Sequence, residues 1–105
     1  MMQSDANMPK WDVALALLAR DNFAHKGGPL SLEDFRSLAR QHAIRFDDIM
    51  ETMFLLVIHG DWTYRDRSGH VQPLDQETLD HLYVKRRLSE QDVAAFDGGW
   101  EPDQT

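Results

Sequence analysis

No cysteine occurs in the 105 residues. That excludes a disulfide framework, a zinc–thiolate site, an iron–sulfur cluster and a thiol nucleophile. No apolar run approaches the ~18 residues needed to span a bilayer. Gly27-Gly28-Pro29 lacks the lysine of a phosphate-binding loop, and no serine lies in a nucleophile elbow. Of the five histidines (His25, His42, His59, His70 and His81), no two stand four residues apart as metal ligands on one helix face. The expectation is a chain that is not an enzyme and takes no metal or cofactor. Residues 1–10 lack the basic-then-apolar order of a secretory leader, which points to the cytoplasm.

What is present is an ordinary globular balance, 42% hydrophobic and 28% charged, sized for one domain. The net charge of −7 is lopsided. Residues 88–105 hold Glu90, Asp92, Asp97, Glu101 and Asp103 and none of the 11 Lys and Arg. The rest is nearly neutral, with basic clusters at Arg36/Arg40/Arg45, Arg65/Arg67 and Lys85/Arg86/Arg87. We expect residues 1–8 to fray, 9–99 to form the domain, and 100–105 to be a solvated, acidic, flexible tail.

Helix punctuation is frequent. Pro9 suits a first turn, and Trp11, Ala14, Leu15 and Leu18 repeat on one face that Val13, Ala16 and Leu17 widen, so much of this helix should be buried. Gly27 ends it. Ser31 and Asp34 form a capping box, flanked by Leu30 and Phe35 as a hydrophobic staple, for a second helix over Leu32–His42. A third helix, about Asp47 to His59, opens on acids that favour its positive end and closes at Gly60. The period then becomes two: Trp62 and Tyr64 alternate with Thr63 and Arg65, and His70-Val71-Gln72 follows a glycine turn, a short hairpin. Two more cap-and-staple starts, at Asp75 and Ser89, predict further helices, the last reaching Phe96 and stopping at Gly98-Gly99.

This order of elements, with Leu30–His42 as second helix, Arg45–His59 as third and Asp61–Leu74 as strands and wing, resembles a winged-helix domain. The fold class expected is mainly α: a winged-helix-like three-helix core with a short β-hairpin and C-terminal helices. The resemblance implies that the third helix reads a partner and that Asp66–His70 is the wing tip. Residues 46–59, however, carry Asp47, Asp48 and Glu51 and no lysine or arginine, which opposes contact with a phosphate backbone.

The third helix has more large apolar residues than one face can hold. Met50, Phe54, Leu55 and Ile58, with the hairpin aromatics Trp62 and Tyr64, are therefore the expected protein-interaction surface. The function expected is a non-catalytic, protein-binding regulator or adaptor, pairing with another protein or with itself as a homodimer through Leu55, Ile58 and Trp62. The alternatives are a DNA-binding transcriptional regulator using Arg36, Arg40, Arg65, Arg67 and His70, or an acidic inhibitor that mimics nucleic acid through its tail.

Overall fold

A computed structural model of the chain describes residues 11–84 and 87–103. Pro9, the expected fraying of 1–8, Lys85 and Arg86 of one basic cluster, and residues 104–105 of the expected tail lie outside them. The domain is mostly helical, with three helices at its N-terminal side and small antiparallel sheets: α1 Val13–Lys26, α2 Leu32–His42, α3 Phe46–Ile58, β1 Trp62–Arg65, α4 Gln76–Asp80, β2 Tyr83–Val84, β3 Arg87–Leu88, α5 Glu90–Val93 and β4 Gly99–Pro102.

Local chemistry sets the helix limits. Asp12 caps α1 by accepting from the Leu15 N–H at 3.2 Å, and Gly27 closes it with φ 79°, a left-handed conformation that favours glycine. At the start of α2 the Ser31 hydroxyl accepts from the Asp34 N–H at 3.3 Å while the Asp34 carboxylate accepts from the Ser31 N–H at 2.8 Å. Lys26, the last residue of α1, donates to the same carboxylate at 2.6 Å and ties the two helices together. Leu30 and Phe35, the staple, are both fully buried. Helix α3 has no side-chain cap; it is held by its surroundings, touching α1, α2, β1, α4 and β3.

The sheet departs from the expected hairpin. β1 pairs antiparallel with β4, Trp62 opposite Pro102 and Arg65 opposite Gly99. Leu30 and Trp100 exchange backbone hydrogen bonds of 2.8 and 2.9 Å on the far side of β4. The spatial order is therefore Leu30, β4, β1, with β4 in the middle. Residues Asp66–His70 do make the turn, the Asp66 carboxylate accepting from the Ser68 and His70 N–H groups. The returning His70–Gln72 segment, though, makes only the bridge Arg65↔Val71, since Pro73 has no N–H to extend a ladder.

Residues 100–103 are accordingly not a flexible tail. Trp100 is the largest fully buried side chain, stacked among Tyr64, Phe54 and Phe35 at ring-centroid distances of 4.6, 5.3 and 6.2 Å. The glycines before it are there for close approach. A Cβ on Gly98 would stand 1.9 Å from the Arg65 carbonyl oxygen, and one on Gly99 2.9 Å from the Pro29 side chain. Helix α5 ends at Val93, short of the expected Phe96, because the chain must turn for Phe96 to reach Phe54 and for Gly98 to reach β1.

Candidate functional site

Met50, Phe54, Trp62 and Tyr64, expected at an interaction surface, are buried in the core. Helix α3 lies at the centre, so its surplus apolar side chains meet a neighbour on nearly every side: Phe54 packs on Phe96 and Trp100, and Tyr64 accepts the Gly98 N–H at 3.0 Å. Burial raises the Tyr64 phenol above its ordinary value. Leu55 and Ile58, expected between two copies, are half-buried and pack partly against the core, and Leu55 also lines an open groove.

Val71 and Val84 are exposed singly, but α1, where sequence periodicity pointed to burial, leaves two large apolar side chains uncovered together. Only Ala19 of this helix is buried. Val13 is 48% and Leu17 62% exposed, one turn apart on the same outer face. Beside them, between α1 and α3, runs a groove of about 620 Å³. Its apolar lining comes from Trp11, Ala14, Leu15 and Leu18 on one side and from Ile44 and Leu55 on the other, and Asp12, Asp48 and Glu51 edge it. A shallower recess of about 460 Å³ over Ala14, Leu17, Leu18 and Asp21 shares two residues with the groove, so crest and groove form one apolar strip.

The acids at the edge, and Asp47 beside them, are not equally satisfied. Asp47 receives Arg45 at 3.1 Å and Arg87 at 3.7 Å, and Glu51 accepts a short hydrogen bond from the Tyr83 hydroxyl. Burial, then that bond and the charge of Glu51, push the Tyr83 phenol far up. Asp48 makes no ion pair among the described residues. Burial and then the charge of Asp47 raise its carboxyl above the usual range, with Arg45 offsetting in part and Glu51 and Asp12 adding to the rise.

The arginines of the DNA alternative are occupied. Arg40 faces Glu33 at 3.5 Å, Arg65 holds Glu101 at 2.9 Å, and Arg67 faces Asp97 at 3.6 Å. The Arg36 guanidinium lies 4.7 Å over the Phe46 ring. His70 is exposed. Among the described residues no group of three His, Asp or Glu is placed to hold a metal ion, and no helix is long and apolar enough to cross a membrane.

Sequence reasoning missed Val13, Leu17 and Asp12. The available signal was that α1, reading Val-Ala-Leu-Ala-Leu-Leu-Ala, is apolar all round while its neighbours have only one side to offer it. Compared with protein-family models, with curated proteins and with solved structures, the chain matches none.

Proposed function

We propose that this chain is a non-catalytic protein-binding domain, a regulator or adaptor, that docks a partner through the outer face of α1. The observation that carries the reading is the pair Val13 and Leu17, large apolar side chains about half or more exposed on one side of a helix that borders a groove. Leaving such side chains in water forfeits ~1.5–3 kcal/mol each relative to burial, and a partner recovers it.

The winged-helix likeness belongs to the same proposal. What supports it is the sequence of α1, Leu30, α2, α3, β1 and β4, with β4 between Leu30 and β1; the wing is then the long excursion of residues 66–98. A duplex-DNA role has weaker support, because Arg40, Arg65 and Arg67 already face acids. The acidic-mimic reading also weakens, since Glu101 is tied to Arg65.

A photo-cross-linking amino acid tests this when placed at position 17 and, as control, at Val84, which is exposed and apolar but outside the strip. The expected result is a protein captured from position 17 alone. In purified form it should bind the chain, and Leu17→Asp should weaken that binding tenfold or more. Equal capture from both positions, or binding indifferent to Leu17→Asp, overturns the reading.

A further inference from the structure

We infer that the occupant of the strip formed by the α1–α3 groove and the α1 crest is an amphipathic helix of another protein, bearing basic residues beside its apolar stripe. The inference rests on the proposed protein-binding role and names the chemistry of the partner.

The groove runs between two helices and continues over Ala14 and Leu18 to the exposed Leu17. An elongated apolar strip beside a helix suits a ligand that presents anchors at i, i+3/i+4 and i+7.

Among the described residues the groove lining holds Asp12, Asp48 and Glu51 and no lysine or arginine. Among the described residues Asp47 has drawn in Arg45 and Arg87, whereas Glu51 takes the neutral Tyr83 hydroxyl and Asp12 the Leu15 N–H. Arg45 and Arg87 stand behind Asp48 and Glu51 in a neighbouring recess, but among the described residues they pair with Asp47, so the groove side of the edge stays negative beside low-dielectric walls, where it attracts cations more strongly than in open water. The raised Asp48 carboxyl agrees, its charged form being disfavoured until a cation arrives.

The same charge argues against a second copy of this chain. Two-fold pairing through the strip sets acidic edge against acidic edge, in a chain whose net charge is −7. An anionic lipid surface meets the same repulsion.

The probes are two synthetic 18-residue helices with one leucine stripe, flanked by lysine in one and glutamate in the other. Each is titrated into the full chain, with binding followed by amide chemical shifts. We expect the lysine peptide to bind in the micromolar range, to shift residues of α1 and α3 that line the strip, and to weaken severalfold between 50 and 300 mM salt. The glutamate peptide should bind at least tenfold more weakly. The pair Asp12→Asn and Asp48→Asn should weaken the lysine peptide about five- to tenfold without lowering Tm, because asparagine still caps α1. Glu77→Gln, on the exposed part of α4, should change nothing.

Equal binding of both peptides at the strip overturns the basic partner while leaving protein docking intact. A lysine peptide that shifts residues elsewhere, or loses as much affinity to Glu77→Gln, overturns the site. A dimer of the free chain that Leu17→Asp dissociates, seen in sedimentation, assigns the strip to self-association and also overturns the inference. Absence of peptide binding together with no cross-link from position 17 removes both readings.

Discussion

Helices α3 and α1 are built from similar material. From Ile49 to Ile58, α3 carries apolar side chains on every side; six of its residues are buried, and Leu55, Val57 and Ile58 lean on the core. From Val13 to Ala19, α1 is just as apolar, yet one alanine is all of it that is buried. The difference is one of place. Other elements surround α3, and β4 brings Trp100 and the turn after α5 brings Phe96 onto Phe54. α1 is the outer layer and packs mainly on α3. An apolar helix inside a domain contributes to stability; the same helix at its edge leaves large apolar side chains in water.

Substitutions that break this contrast fall in a clear order. Phe54→Ala empties the site between Phe96 and Trp100 and should cost ~3–5 kcal/mol in urea denaturation. Gly98→Ala should cost ~1–3 kcal/mol or more, because its Cβ meets the Arg65 carbonyl and pushes β4, with Trp100, off α3. Ser31→Ala removes half of the capping box and should lower stability by ~1 kcal/mol.

Asp48→Asn should act weakly and in the opposite direction. The raised carboxyl means that the folded chain holds this proton more tightly than the unfolded chain does, so stability drifts down as pH climbs above 3.8 through the folded value. The variant should be more stable at pH 7, by ~0.2–1 kcal/mol after screening by water, and equal to the parent at pH 3. Leu17→Ala should change stability by no more than ~0.5 kcal/mol. A loss of 2 kcal/mol there would place α1 inside the fold and end the contrast.

Much of this was readable in the residues wherever the information is local. The limits of α2 follow from Ser31, Asp34, Leu30 and Phe35, and the caps at Asp75 and Ser89 are where side-chain chemistry puts them. β4 was not readable. Gly99-Trp100-Glu101-Pro102 has one large apolar residue and no period-two run, and its partners are remote in sequence. Of the glycines that read as a helix stop, Gly98 is the thin point where two backbones nearly touch, and Gly99 makes room for the Pro29 side chain. The exposed face of α1 was hidden for a related reason. Periodicity reports which side of a helix is apolar, but only the assembled neighbours decide which helix is left outside.

The position of β4 also bears on how the chain folds. The helices make their first contacts between near neighbours, whereas the central strand of the sheet follows both of its flanking partners in sequence. Loop closure across residues 66–98 comes before the reward of those pairings, so the sheet should set the folding rate. Until that step, a helical intermediate would leave Phe35, Phe54 and Tyr64 without the indole that covers them, and such a species aggregates readily. Crowded or hot conditions would then act on the protein through this half-assembled state before they act on the finished fold.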